Sequence, residues 1–154
     1  MKKLSLALCG ILLLAAAVQA ADSFLGSWTL NIVKSKYDPG PAPKSQTTKL
    51  EAAADNGVRE IGDRINADRS RTQWEWTAKF DGKDYPVTGD PNSDTRSYTK
   101  VNERTLTTAN KKNGKVTVTG QIVVSADGKS RTVTLNGTTP KGKKFKNVVV
   151  YDKQ

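Results

Sequence analysis

The groups in this sequence that could do chemistry are few, and nearly all of them are carboxylates or cations. The 154 residues contain no histidine, one cysteine (Cys9) and one methionine (Met1), against 25 lysines and arginines and 15 acids. Cys9 lies in an apolar leader expected to be removed. The remaining chain then lacks the side chains for a tetrahedral zinc, copper or haem site, a cysteine nucleophile or a Ser-His pair. Carboxylates are left as the acid/base groups, and Asp81, Asp84, Asp90 and Asp94 cluster in FDGKDYPVTGDPNSDT. Asp90, Asn92 and Asp94 have the alternate spacing of a calcium loop's first ligands. Thr95, however, stands where that loop needs glycine, and Val101 where it needs a bidentate glutamate. Beside Pro and Gly, such residues satisfy local turns. Glu75 sits between Trp74 and Trp76 as a sugar-stacking acid would, yet strand alternation turns it to the opposite face, where a salt bridge suits it. No carboxylate pair for glycoside hydrolysis is identifiable. The expectation is no catalytic residue, no metal and no cofactor.

Binding residues are easier to find. Trp74, Trp76 and Phe80 share one strand face and could line a cavity, with Tyr98 and Val118 as neighbours; packing of a filled core is the other reading. Lys111, Lys112, Lys115, Lys141, Lys143 and Lys144 fall at two turns. A nucleic-acid surface would mix aromatic and basic side chains on one strand face, whereas these lysines concentrate in loops, so no nucleic-acid partner is expected.

The elements that must position these residues read as strands. Residues 1–20, with Lys2 and Lys3 before an apolar run from Leu4 to Val18 and a small-residue site ending at Ala20, read as an export signal. Its removal leaves 23 basic side chains against 15 acidic, a net charge of +8, in a single domain over 21–154 with no transmembrane segment, exported to the periplasm or beyond. Seventeen threonines and twelve valines in period-two stretches suit half-buried strands. Turn dipeptides at Asn56-Gly57, Asp81-Gly82, Asn113-Gly114, Asp127-Gly128 and Lys141-Gly142 separate strands expected at 45–53, 58–66, 71–80, 84–89, 95–101, 104–111, 115–125, 129–138 and 144–152. A first strand at 24–33 precedes a proline-rich loop, KSKYDPGPAPKS, which no helix can accommodate. The expected fold is all-β: an antiparallel up-and-down barrel of eight to ten strands, closed because closure removes sheet edges.

The segment Phe24-Leu25-Gly26-Ser27-Trp28-Thr29-Leu30 resembles the F-x-G-x-W opening of the calycin barrels, the lipocalins and fatty-acid-binding proteins. The wider chain, with LNIVKSKYDPGPAP and DGKDYPVTGDP, resembles exported bacterial lipocalin-like proteins over most of 24–152. That resemblance implies structural roles for Gly26 and Trp28, with the tryptophan closing a barrel floor beneath a ligand cavity. It also makes the end bearing the 34–44 loop the open mouth. Sorting charges by alternate loops gives that end eleven cations against four acids, +7, and the opposite end three against five, −2. A basic mouth over an apolar interior suits a small amphiphilic or lipid-like ligand with an anionic head, bound by a monomer. A filled barrel whose basic end docks on an acidic envelope polymer or protein is the alternative.

Overall fold

The computed structural model describes residues 23–154; the leader expected at 1–20 lies outside them. Ten strands form one antiparallel sheet: β1 (Gly26–Asp38), β2 (Ser45–Ala53), β3 (Gly57–Ile65), β4 (Arg71–Ala78), β5 (Tyr85–Pro86), β6 (Thr95–Asn102), β7 (Thr105–Lys112), β8 (Lys115–Val124), β9 (Ser130–Thr138) and β10 (Lys144–Lys153). Their order is β4-β3-β2-β1-β10-β9-β8-β7-β6-β5, so neighbours in sequence are neighbours in space and β1 meets β10. Glu75 and Thr88 exchange backbone hydrogen bonds of 3.0 and 2.9 Å, which join β4 to the segment after β5 and close the sheet into an up-and-down barrel. Among the described residues the departure from strand and loop is one 3-10 turn, Ala54–Asn56.

The hairpins form where turn chemistry demands them. Asn113 and Gly114 both take positive φ (51° and 72°), the pair of left-handed residues that a two-residue turn matched to strand twist requires. Two elements differ from expectation. β1 runs past 33 to Asp38, because Ile32 to Ser35 bulge outward opposite the single residue Val149 and pairing resumes at Lys36↔Val148. The hydroxyl of Ser35 accepts the Val150 N–H at 2.9 Å, which stands in for the ladder bond lost there. The strand expected at 84–89 shrinks to Tyr85–Pro86, since proline cannot donate to a ladder.

Apolar side chains concentrate at one end. Phe24, Trp28, Leu50, Trp76, Ala78, Leu106 and Val124 are buried there, with Phe80 against them. Phe24 meets Phe80 edge-on at 5.6 Å, and Trp76 meets Tyr98 at 4.7 Å. Trp28, fully buried, donates its indole N–H to the Phe24 carbonyl at 2.9 Å. Gly26 makes room for this: at φ 117° it passes so close to Lys153 that a Cβ would lie 2.7 Å from Cε of that lysine. The lysine's ammonium then sits 5.1 Å over the Trp28 ring. These residues are the floor.

Candidate functional site

Above the floor the barrel is hollow. A cavity of about 730 Å³ opens among Pro41, Asn66, Pro91, Lys115 and Pro140, at the same end as the 34–44 loop, where the sorting of charges from sequence (loops 34–44, 67–71, 90–94, 111–115 and 141–144) puts the basic excess. Its volume falls in the range of small-molecule pockets. Trp74, Tyr98 and Val118 line it, joined by Ile122, Val133, Val149 and Tyr151. Trp76 and Phe80 do not: they lie lower and pack into the floor.

The cavity wall is also strongly charged. Inward positions on alternate residues of β3, β6 and β9 carry Glu60, Arg64, Arg96 and Arg131, and β2 adds Gln46 and Thr48. Glu60 is 3 % exposed, and both of its carboxylate oxygens accept hydrogen bonds. Its Oε1 accepts from the Trp74 indole at 2.9 Å and from Arg96 at 3.0 Å, and its Oε2 accepts the Tyr98 hydroxyl at 2.9 Å. Gly62 permits this, because Trp74 lies flat across it and a Cβ there would fall 2.0 Å from the ring. Arg96 also donates to Asp90 at 3.3 Å and Asn110 at 3.1 Å. Burial opposes the charge of this guanidinium, but Glu60 above all, then Tyr98 and Asp90, hold its pKa above the ordinary value. Tyr98 is pushed up by burial and by Glu60. The cluster is bonded within itself and stitches β3 to β6.

Arg131 is different. It is 5 % exposed, its guanidinium lies 4.9 Å over the Trp28 ring and 4.8 Å over Tyr151, and it donates to the Thr48 hydroxyl. No carboxylate pairs with it among the described residues, and its Nε has no partner. Arg64 likewise has a buried Nε without a partner, 5.7 Å being the distance from its guanidinium to the Trp74 ring centre. Tyr151 accepts from Gln46 at 2.8 Å, and burial pushes its pKa up, so the phenol keeps a proton to donate into the cavity.

The lysines expected at the mouth are not equivalent. Lys112 and Lys115 line the cavity, and Lys141 and Lys143 flank an adjoining cleft with Pro39, Pro41 and Phe145. Lys112 pairs with Asp94 at 2.6 Å, and Lys111 with Asp84 at 2.6 Å. Sorting by loops counts Asp84 among the five acids of the floor end, and the second pair corrects this by placing it beside Lys111 at the basic end. Asp81 bridges Thr99 and Tyr85 pairs with Arg96, so the intervening chain climbs the outer wall and brings Asp84 to Lys111. Lys115, Lys141, Lys143 and Lys144 make no ion pair among the described residues.

The carboxylates weighed as catalytic or calcium-binding groups are occupied by local structure. Asp90 Oδ1 accepts the Asn92 N–H, and Asp94 accepts from Lys112 and from the Asn113 N–H at 2.7 Å. Glu75 faces outward and pairs with Arg59 at 2.7 Å. Among the described residues no group of three or more acids, histidines or cysteines could hold a metal ion.

No family model matches the chain, and no curated protein matches it. Solved structures do. The wild-type fluorescent protein UnaG superimposes with a TM-score of 0.53 at 15% identity, covering 86% of this chain and 98% of that one. A redesigned beta barrel superimposes with a TM-score of 0.50 at 13% identity, covering 88% and 95%. At such identities the likeness is one of fold. What is shared is the architecture: an up-and-down barrel of antiparallel strands, here ten in number with a tryptophan-closed floor and a hollow upper half.

Proposed function

We propose that the protein is an exported carrier or receptor for a small amphiphile, whose anionic group enters the barrel and meets Arg131. One observation carries this reading: the cavity wall holds a buried guanidinium that no carboxylate of the described residues neutralises, while both interior carboxylates are spent on Arg96. A buried charge left without a counter-charge is costly, and a ligand anion lowers that cost. Thr48, whose hydroxyl accepts from Arg131, and Tyr151, whose ring lies under the guanidinium, each have a hydroxyl proton to donate to an anion. Apolar side chains of β8, β9 and β10 suit the rest of the ligand. The unpaired lysines at the mouth act earlier, drawing anions toward the opening.

Titration calorimetry with dodecanoate and dodecan-1-ol tests this. The acid should bind about tenfold or more tighter than the alcohol, a difference of roughly 1.4 kcal/mol or more. Arg131→Gln should erase the preference. Equal binding of acid and alcohol to the wild type removes the anionic part of the reading.

A further inference from the structure

We propose that the ligand is a facial amphiphile, with hydrogen-bonding oxygens along one long side, hydrocarbon along the other and the acid at one end. This deepens the reading that the cavity takes an anionic amphiphile, and rests on it.

The cavity wall changes character around its circumference as well as from floor to mouth. Strands β2, β3, β6 and β7, joined through β4 and the Glu75–Thr88 closure, turn Gln46, Thr48, Arg64, Arg96, Thr108 and Asn110 to the cavity. The adjoining arc, β8 to β10, turns Val118, Ile122, Val133, Leu135, Phe145 and Val149 to it. The step falls between β7 and β8, and register makes it sharp. Arg96 pairs with Asn110, Asn110 with Val118, Val118 with Gly137 and Gly137 with Phe145, a row that is polar on β6 and β7 and apolar from β8 to β10. Deeper in the barrel, Tyr98 and Thr108 lead in the same way to Gly120 and Leu135. The two glycines flatten the apolar arc. A Cβ at Gly137 would lie 2.7 Å from the Phe145 ring, and one at Gly120 would lie 2.7 Å from Cδ2 of Leu135, so both side chains lie along the wall.

Polar side chains within the apolar arc stand at its ends or bond to backbone. Arg131 and Tyr151 are at the floor and Thr138 is at the rim, while Asn147 accepts the Asp38 N–H at 3.2 Å and Thr117 donates to the Asn110 carbonyl at 3.3 Å. The polar arc, by contrast, contains two buried atoms without a partner, Nε of Arg64 and Oγ1 of Thr108. An alkyl chain with a single head would press hydrocarbon against this arc and take its polar groups from water with nothing in return. Oxygens along one side of the ligand answer them, and the other side keeps its contact with the valines, Leu135 and Phe145.

Calorimetry with dodecanoate and syn-6,7-dihydroxydodecanoate, which share one chain length and one acid, tests this. The diol should bind about tenfold tighter, although burial of hydrocarbon alone favours dodecanoate. Thr108→Val keeps the outline of the side chain, removes its hydroxyl and should cut that advantage about threefold. Equal or weaker binding of the diol to the wild type overturns the proposal without any variant. So does an advantage that neither Thr108→Val nor Arg64→Gln reduces, since the polar arc would then not be its source. Both results leave the anion reading intact, and that reading fails separately if Arg131→Gln weakens neither ligand. A protein that binds neither ligand overturns both.

Discussion

The same strands build two halves of this barrel by opposite rules. On β4, Trp76 and Ala78 fill the floor, while Trp74, two residues toward the mouth, spends its indole N–H on Glu60. On β9, Val133 and Arg131 point inward side by side, but only the arginine crosses to Trp28. The floor is aromatic and aliphatic, with the Trp28 indole bonded to the Phe24 carbonyl. The wall above it is polar: Glu60 and Arg96 pair with each other, whereas Arg64 and, on the floor's Trp28, Arg131 have no ion pair among the described residues. Stability resides in the first, and recognition is assigned to the second.

Truncating the floor should break this division most severely. Trp28→Ala removes a fully buried ring together with the platform under Arg131, and should cost about 3–5 kcal/mol in urea unfolding. A loss below about 1 kcal/mol would mean that the floor is not the stabilising half. Next comes the buried cluster. Glu60→Gln leaves the Arg96 guanidinium with Asp90 as its one carboxylate partner and should cost about 2 kcal/mol. Pairing it with Arg96→Met should recover part of that loss, and the absence of recovery would show that Glu60 acts apart from Arg96. The smallest effect belongs to the outer wall. Arg71 holds Asp63 below its ordinary 3.8, Arg59 holds Glu75 below 4.5, and the Asn113 N–H followed by Lys112 holds Asp94 below 3.8. Depressed folded-state values stabilise the fold above the ordinary pKa and stop doing so as pH falls through the folded ones. Thermal midpoints should thus be flat above about pH 5 and decline only below about pH 4. These carboxylates are solvent-exposed, so the decline should be small, and one starting near neutrality would show that these outer-wall pairs do not set the profile.

Most of the fold is legible in the sequence because its punctuation is chemical. Glycines that must take positive φ mark Asn113-Gly114, Asp127-Gly128 and Lys141-Gly142, and the strands between them lie within a residue or two of expectation. The course of β1 is not legible: a four-residue bulge hides the continuation to Asp38 behind apparent loop composition. The site is half legible. Trp74, Tyr98 and Val118 reach the cavity while Trp76 and Phe80 do not, because alternation gives the side of a strand but not the depth along the barrel. The interior arginines are hidden for another reason. Sorting charge by loops ignores the strands, although Val58-Glu60-Gly62-Arg64 and Arg131-Val133-Leu135 each alternate on one face with buried apolar neighbours. Charges that share a face with core residues are the signal that could have found them.

The two closures of the sheet differ in how much chain they span. Glu75 and Thr88 are 13 residues apart, whereas Trp28 faces Lys153 across nearly the whole barrel sequence. Loop-closure entropy must be overcome before the second ladder returns any energy, so contact order rather than local propensity limits how fast the chain folds. Because Trp28 and Arg131 belong to opposite ends of the sequence, their stacking is completed only when β1 meets β10, and the deep anion site comes into being with the final seam.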